Sequence, residues 1–361
     1  MRVRFILAAL VVFAAGCVPA NPPRLSASPP APASSVRISP PTPSPAAVAC
    51  VPCPTQLPVG GLAFDIDRQA LVLFGGYAAD PRTVLNDTWE WNIKAGWRQL
   101  HPATTPPARG MTAMAYDQAR HVVLMYGGRN TAGGTVPCGE VGQDLCSTDT
   151  WTWNGTDWSQ LHPDKNPYPF LPAMTYDQSS GAPLVYSTSA ETWSWNGAAW
   201  AVKAAEAGRP DPHRHTPVMA FDPATRHVVM FGGFNHGGGD LNTMWSWTGQ
   251  GWTSLGTQAP FRILQAAAAA DGDRRGLLGY QNPYVKPPVP PITVASPAET
   301  WAWDGVRWTQ LHPVHEPTAW VSAMFADPKS HQVLLVGSNF TEANAIEIWA
   351  WNGNDWSQVG Q

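Results

Sequence analysis

The chain has 361 residues, of which only 13% are charged, and it contains 37 prolines, 32 glycines and 19 tryptophans. This composition argues against a helical bundle and favours an all-β fold of many short strands joined by turns. The formal net charge is −4 at pH 7, and removing a leader that contains Arg2 and Arg4 makes it two units more negative. Nucleic-acid binding is therefore not expected, because it relies on basic side chains at the phosphates.

Residues 1–16 predict a secretory signal peptide. Arg2 and Arg4 precede an apolar stretch, 5–15, that is too short to cross a bilayer as a stable helix. The segment 14–17, Ala-Ala-Gly-Cys, resembles the lipobox of bacterial lipoproteins, in which the cysteine becomes the lipid-modified first residue. The resemblance implies export and a lipid anchor at Cys17 on the extracytoplasmic face of the cell membrane. Ordinary cleavage near Gly16 is the alternative, because Ala14 stands where Leu is usual.

Residues 17–58 predict a disordered, lipid-anchored tether. The segment is rich in Pro, Ser and Ala and has almost no large apolar side chains, so it cannot bury enough surface to offset the entropy of ordering. A Pro-rich chain extends by about 3.1 Å per residue, which gives this tether a reach of roughly 100 Å.

Four cysteines remain besides Cys17, and an exported chain folds in an oxidising compartment. The pairings Cys50 with Cys53 and Cys138 with Cys146 are favoured because the partners are close in sequence. Four cysteines allow three connectivities, so the sequence alone does not choose between them.

One unit recurs six times along the rest of the chain. Its most visible part is a pair of tryptophans separated by one residue: Trp89 and Trp91, Trp151 and Trp153, Trp193 and Trp195, Trp245 and Trp247, Trp301 and Trp303, Trp349 and Trp351. A turn and a third tryptophan follow each pair: Trp97, Trp158, Trp200, Trp252, Trp308 and Trp356. Upstream of each pair a small-residue strand closes on an aspartate: Asp65, Asp117, Asp177, Asp222, Asp271 and Asp327. An apolar run then ends in Gly-Gly in three copies, at Gly75, Gly127 and Gly232.

This order, at a mean spacing of about 52 residues, resembles the Kelch repeat, whose period is about 50. The resemblance covers 59–361 and implies a six-bladed Kelch-type β-propeller of the superfamily that includes galactose-oxidase propellers, with four antiparallel strands per blade around a central channel. In the second copy the strands are predicted at 111–116, 122–126, 150–153 and 158–161. The first and last strands, 60–64 and 355–359, leave no strand to exchange between the chain ends, so we expect the ring to close by packing.

The repeated tryptophans are predicted to be core residues. Residues i and i+2 of a strand share a face, so both members of each pair point toward a neighbouring blade. Trp320 alone lies outside this register.

Loop lengths predict one elaborated face of the propeller. The long insertions are 129–147, 235–242 and 281–298, together with the inter-blade segments 162–171, 203–216 and 312–320, and all of them belong to the same end of the strands. Arg109, Arg214 and Arg262 lie just before first strands on this long-loop face, and with Trp320 they form the predicted ligand-contact cluster. Three guanidinium groups suit an anionic ligand; the alternative is that each arginine bonds carbonyls of a neighbouring blade.

No metal site and no cofactor are predicted. Seven histidines fall on the long-loop face, but His101, His162 and His312 repeat one Leu-His-Pro phrase in different blades. Repetition explains these histidines better than a shared ion does.

The function predicted from the sequence is a monomeric, lipid-anchored binding propeller that recognises a polysaccharide or protein partner at the cell surface. The alternative is a propeller enzyme, either a copper-radical oxidase or a carbohydrate-active hydrolase or lyase. No nucleophile elbow, zinc-helix spacing or phosphate-binding glycine loop occurs. The loops contain several carboxylates, namely Asp144, Asp164, Asp211, Asp240 and Glu316. Their spacing does not identify a glycosidase pair.

Overall fold

The computed structural model describes residues 54, 61–78, 83–130, 136–138, 144–203, 210, 214–235, 241–261, 266–272, 276–282, 284–285, 294–339 and 345–360. These residues contain strands and no helix, which confirms the predicted all-β class. None of them forms a helix long and apolar enough to cross a membrane. The predicted leader, 1–16, lies outside the described residues, as does the predicted tether, 17–58, except for Pro54.

Six four-stranded antiparallel sheets, here called blades one to six, form the body of the protein. Blade one consists of β1 (Gly61–Asp65), β2 (Ala70–Tyr77), β3 (Val84–Asn92) and β4 (Gly96–Leu100). Blade two begins with β5 (Ala113–Asp117) and β6 (Val122–Tyr126); after a separate sheet of β7 (Arg129–Asn130), β8 (Val136–Cys138) and β9 (Asp144–Cys146), it ends with β10 (Thr150–Trp153) and β11 (Trp158–Leu161). Blade three consists of β12 (Ala173–Asp177), β13 (Ala182–Tyr186), β14 (Thr192–Trp195) and β15 (Trp200–Lys203).

The second half of the chain repeats this plan. Blade four consists of β16 (Val218–Asp222), β17 (His227–Phe231), β18 (Thr243–Trp247) and β19 (Trp252–Gln258). Blade five begins with β20 (Ala266–Asp271) and β21 (Gly276–Gln281); after a small hairpin of β22 (Tyr284–Val285) and β23 (Val294–Ser296), it ends with β24 (Glu299–Trp303) and β25 (Trp308–Leu311). Blade six consists of β26 (Trp320–Asp327), β27 (Gln332–Asn339), β28 (Ala345–Trp351) and β29 (Trp356–Gly360).

The two small sheets correct the prediction, which contained blades alone. Both lie in insertions that were predicted as loops, 129–147 and 281–298, so the described residues hold more sheets than the predicted six. Each insertion connects the second strand of its blade to the third, and these two strands lie side by side. The two ends of the insertion are therefore close together, so that segments of the insertion can pair with each other. The first strand of blade two also begins at Ala113 rather than Met111, because Met111 has a φ of 56° that a strand does not accommodate.

The first strands of the blades form a closed ring. Each of β1, β5, β12, β16, β20 and β26 contacts the next, and β26 contacts β1. At this last seam Leu62 and Phe64 of blade one share an apolar cluster with Val336 and Ile348 of blade six. Among the described residues these two blades exchange no strand, so in this part of the chain side-chain contacts join blade six to blade one.

The repeated tryptophans lie between the blades, as predicted. All but four of the eighteen are buried, and these four are half-buried against the inter-blade clusters: Trp245, Trp301, Trp308 and Trp349. The indole N–H of the fourth-strand tryptophan donates across the seam to a threonine in the third strand of the preceding blade. The donor and acceptor pairs are Trp158 and Thr88 (3.0 Å), Trp200 and Thr150 (2.9 Å), Trp252 and Thr192 (2.7 Å), and Trp356 and Thr300 (3.0 Å).

Two seams lack this indole–threonine bond. Trp308 meets the sulfur of Met244, a weak acceptor, at 3.1 Å. At the seam between blades six and one the corresponding residue is Ile348, and the buried indole N–H of Trp97 has no acceptor among the described residues. The closing seam therefore relies on apolar contact alone at this position.

In blades one to four and in blade six, the aspartate that ends the first strand organises the following turn. Asp65 accepts the backbone N–H groups of Asp67 and Arg68 at 3.1 and 3.0 Å, and Asp117 accepts that of Ala119 at 3.1 Å. Arg68 also binds Asp65 and then reaches the carbonyl of Asn154 in the next blade. These aspartates are thus structural residues of the short turns.

Candidate functional site

A cavity of about 600 Å³ lies in the centre of the ring. Its walls come from the last three residues before the closing aspartate in the first strands, and from the short turns that follow them. The cavity therefore occupies the end of the channel formed by the short turns. This is the opposite end from the long-loop face that the sequence analysis favoured.

Two alanines line this cavity at positions where the other blades have aromatic side chains. The residue directly before the closing aspartate is aromatic in blades one to four, where it is Phe64, Tyr116, Tyr176 or Phe221. In blades five and six it is Ala270 or Ala326, and all six residues line the cavity. Ala270 and Ala326 therefore leave space at two positions where the other four blades carry an aromatic ring.

The polarity of the wall changes along the channel. Three residues before the aspartate, four blades place a methionine in the inner part of the cavity: Met114, Met174, Met219 and Met324. At the mouth the turns contribute neutral hydrogen-bonding side chains, namely Gln118, Gln178 and Gln332, together with His331. The site thus combines an apolar interior with a polar, mainly uncharged mouth, an arrangement common in small-molecule sites.

Arg109 is fully buried and bound within the propeller. Its guanidinium forms two bonds to the Asp149 carboxylate, at 2.5 and 2.9 Å, and donates to the carbonyls of Pro107 and Gly127 at 2.9 and 3.2 Å. Burial raises the pKa of the Asp149 carboxyl, but the hydrogen bonds and charge of Arg109 outweigh burial and leave that pKa below its usual range. This arrangement is a structural ion pair between a fully buried arginine and a half-buried carboxylate, and Arg109 does not line the cavity.

Arg214 repeats the position of Arg109 in blade four. It is fully buried and donates to the carbonyls of Gly232 and Thr243, at 3.1 and 3.2 Å, and to the Thr243 hydroxyl at 2.5 Å. The described arginines therefore bond carbonyls, but these carbonyls belong to their own blades and not, as the alternative expected, to a neighbouring blade. Arg262 lies outside the described residues.

Trp320 is the first residue of β26, where it pairs with Ser338. Its side chain is half-buried, and it is not part of the cavity wall. The structure therefore does not bring Trp320, Arg109 and Arg214 together around one opening.

The described histidines are spread around the ring. His101, His162 and His312 are exposed, whereas His215 is buried between Phe170 and Phe234, at ring-centre distances of 5.9 and 5.0 Å. Among the residues that the structure describes, no three His, Cys, Asp or Glu side chains are grouped as for a metal ion. His213 and His236 lie outside them.

The Cys138–Cys146 disulfide is present and confirms that predicted pairing. It joins β8 to β9 in the insertion of blade two, where the two strands pair. Cys17, Cys50 and Cys53 lie outside the described residues.

A repeated acceptor that was not predicted lies two residues before the first tryptophan of most pairs. The indole N–H groups of Trp151, Trp193, Trp301 and Trp349 donate to carboxylates at this position, over 2.6 to 3.2 Å. The acceptors are Asp149, Glu191, Glu299 and Glu347. Aligning the six copies would have revealed them, because an acidic residue occupies this position in every blade except blade four, which has Thr243.

The pKa of the Glu316 carboxyl is shifted toward neutrality. It lies on the long-loop face between blades five and six, and it accepts a hydrogen bond from the Thr300 hydroxyl at 2.8 Å. Burial, together with the nearby carboxylates of Asp355 and Glu299, raises the pKa of Glu316 to about 7, against the hydrogen bond from Thr300 that lowers it. The equivalent residue between blades two and three is the neutral Asn166. The hydroxyl of Tyr126 donates to the carbonyl of Pro167, which follows Asn166, and the hydroxyl of Tyr280 donates in the same way to Pro317, which follows Glu316.

Comparison with solved structures identifies propellers. The chain superimposes on a protein described as YjhT with a TM-score of 0.57 and 11% identity, over 85% of this chain and 98% of that one. A fungal alcohol oxidase of the AA5 family, solved in complex with copper, matches with a TM-score of 0.50 and 12% identity, over 80% of this chain and 60% of the oxidase. At these identities the likeness establishes the fold alone. No protein-family model matches the chain, and no curated protein matches it.

We predict that Arg109→Met destabilises the protein by about 3–5 kcal/mol, because it leaves the half-buried Asp149 carboxylate without its cation and the carbonyls of Pro107 and Gly127 without their donor. Urea unfolding at pH 7 measures the loss. The matched control is Arg98→Met, which removes an exposed bond to Glu90 and is expected to cost less than about 1 kcal/mol. Equal losses in the two variants would contradict the structural role of Arg109.

Glu316→Gln should stabilise the protein above pH 7 and have little effect near pH 4. The folded state holds the Glu316 proton to higher pH than the unfolded state does, so wild-type stability falls as pH rises from about 4.5 to about 7. The stability of the variant does not decrease in this way, because glutamine does not ionise. Thermal unfolding between pH 4 and pH 8 tests the difference, with Asp164→Asn at an exposed inter-blade position as control. A wild-type profile that is parallel to that of Glu316→Gln would refute the assignment.

Proposed function

We propose that this chain is a non-enzymatic binding propeller of six Kelch-type blades, in which the central cavity receives part of the partner. The cavity is the observation that carries this proposal. Its volume of about 600 Å³ falls within the range of ordinary ligand sites, and residues from all six repeats line it. A rigid ring that surrounds one opening suits recognition, because binding does not require ordering of the wall.

The six-bladed Kelch assignment draws on two independent features. The six copies of the tryptophan repeat coincide with the six four-stranded sheets, and the six first strands contact one another in a ring. The propeller folds of the two structural neighbours support the same architecture.

We further propose that the protein works as a monomer outside the cytoplasm, anchored to the membrane through a lipid on Cys17. The Cys138–Cys146 disulfide supports an oxidising compartment, and the lipobox-like residues 14–17 support the anchor. The tether, 17–58, would let the propeller reach a polysaccharide or a protein away from the lipid surface.

The contact cluster proposed from the sequence is modified by the structure. Arg109 and Arg214 are engaged within their own blades, so we assign the ligand contact to the cavity. Trp320 stays a candidate for a second contact on the long-loop face, where its side chain is half-buried.

An enzyme is the second candidate function, and Glu316 is the observation that favours it. A half-buried carboxyl with a pKa of about 7 is suited to donate a proton near neutral pH. Hydrolysis of a glycosidic bond would also require a second carboxylate near the same substrate atom. Turnover of a sugar substrate that is lost in Glu316→Gln would favour the enzyme over the binding protein.

Cys17→Ala should release the protein from the membrane fraction into the soluble extracytoplasmic fraction. The substitution removes the only sulfur to which the proposed lipid could be attached in the 14–17 segment. Fractionation of cells, followed by immunodetection of the propeller, measures the distribution. Equal membrane retention of wild type and variant would contradict the anchor.

Gln118→Ala together with Gln178→Ala should weaken retention on polysaccharide and protein fractions of the cell surface by about tenfold or more, the effect of one or two lost hydrogen bonds. Both side chains lie at the cavity mouth, where their removal has little effect on packing. Depletion of purified protein by each fraction gives the affinity. The control is Gln160→Ala on the exposed edge of β11. If wild type, mouth variant and control are depleted alike, the cavity is not the binding site.

A further inference from the structure

We infer that the group entering the central cavity is uncharged and has an apolar body, and that Ala270 and Ala326 keep the space for it; this inference rests on the proposed binding function. It specifies the chemistry of the ligand, which the binding proposal leaves open. Four properties of the cavity wall support it: alanines on the side of blades five and six, tyrosines and glutamines on the side of blades two and three, the small number of charged side chains, and four methionines.

The alanine side is formed mainly by β20. This strand consists of five alanines followed by the closing aspartate, and all six residues pair in register with β21. Alanine is a poor strand former compared with β-branched and aromatic residues, so strand formation does not explain the run. Ala268, Ala269 and Ala270 line the cavity, as does Ala326 of the next blade.

The polar side lies across the channel. In a closed ring of six, blade two is opposite blade five and blade three is opposite blade six. Blades two and three carry the same tripeptide, Tyr116-Asp117-Gln118 and Tyr176-Asp177-Gln178, and both the tyrosines and the glutamines line the cavity. A bound group would therefore lie between the alanines of blades five and six and the tyrosines of blades two and three, with its polar atoms toward the mouth, where Gln118, Gln178 and Gln332 lie.

The charges of the wall exclude an ionic ligand group. Among the described lining residues, the acidic or basic side chains are Asp327 and His331. The Asp327 carboxylate accepts the backbone N–H of Lys329 at 2.9 Å and the hydroxyl of Ser330 at 2.5 Å, so it is engaged in its own turn. No lysine or arginine lines the described cavity. Transfer of a charged group into such an interior is unfavourable because no counter-charge replaces its hydration.

The methionines give the interior an adaptable shape. Met114, Met174, Met219 and Met324 reach the cavity from four different blades. Methionine side chains have three rotatable bonds and a polarizable sulfur, so they fit apolar bodies of different outline. The wall therefore selects a class of uncharged apolar groups rather than one molecule.

Two fluorescent probes that share one apolar body test the inference. N-phenyl-1-naphthylamine is neutral, whereas 8-anilinonaphthalene-1-sulfonate carries the same ring system with a sulfonate. Titration of the purified protein should show binding of the neutral probe with enhanced fluorescence, and the anionic probe should bind at least about tenfold more weakly. Equal affinity for both probes, or tighter binding of the anion, would overturn the inference.

Filling the cavity is the second arm of the experiment. Ala270→Phe with Ala326→Phe places at both positions the residue that blades one and four already have there, Phe64 and Phe221. The double variant should lose at least about tenfold in affinity for the neutral probe. Ala198→Phe adds the same ring at an exposed 3–4 turn and should bind as wild type does. The single variants Ala270→Phe and Ala326→Phe are measured as well, because the double variant can fail to fold. Thermal unfolding shows which of the three variants are folded, and one folded variant is enough to decide the outcome. Unchanged probe binding in any folded filled variant would place the probe elsewhere and overturn the inference.

The outcomes separate this inference from the proposed function. If the neutral probe does not bind but the filled variants lose retention on a surface fraction, the cavity binds a polar group, and the inference alone fails. If neither probe nor any fraction binds wild type, both fail.

Discussion

Every blade of this protein has two apolar faces that it cannot bury by itself, and the tryptophan pairs place most of this surface in the seams. Each indole of a fourth strand contacts the preceding blade, and in four seams its N–H donates to a threonine hydroxyl there. The bond sets the position of one blade on the next, because a buried indole N–H without a partner would lose its hydration without compensation. The central cavity exists only because these seams hold six first strands in a ring.

The features that could be predicted from the sequence are those that recur at a fixed spacing. The tryptophan pairs, the closing aspartates and the strands between them repeat six times, so their common role was visible without any knowledge of contacts. The buried role of Arg109 could not be derived in this way, because its partner Asp149 is 40 residues distant and meets it only in the folded blade. The two small sheets were missed for a related reason, since their strands lie in insertions that do not repeat.

The cavity was missed because it depends on residues that are small. Ala270 and Ala326 match no motif, and they acquire meaning only when all six blades are aligned on the closing aspartate. Glu316 is similar: its raised pKa follows from burial between two blades, which no spacing in the sequence indicates. The two ends of the channel thus differ in chemistry. An apolar cavity occupies the short-turn end, and a half-buried acid lies on the long-loop face.

The closing seam is the part of this account that is most open to a direct measurement. In the described part of the chain, side-chain contacts close the ring, and the seam between blades six and one lacks the indole–threonine bond because Ile348 replaces threonine. Hydrogen exchange of the indole N–H groups, followed by NMR under native conditions, reports on each seam separately. The account predicts slow exchange for Trp158, Trp200, Trp252 and Trp356 and markedly faster exchange for Trp97. If Trp97 exchanges as slowly as the other four, or if those four differ widely among themselves, the indole–threonine bonds do not determine how the ring is held together.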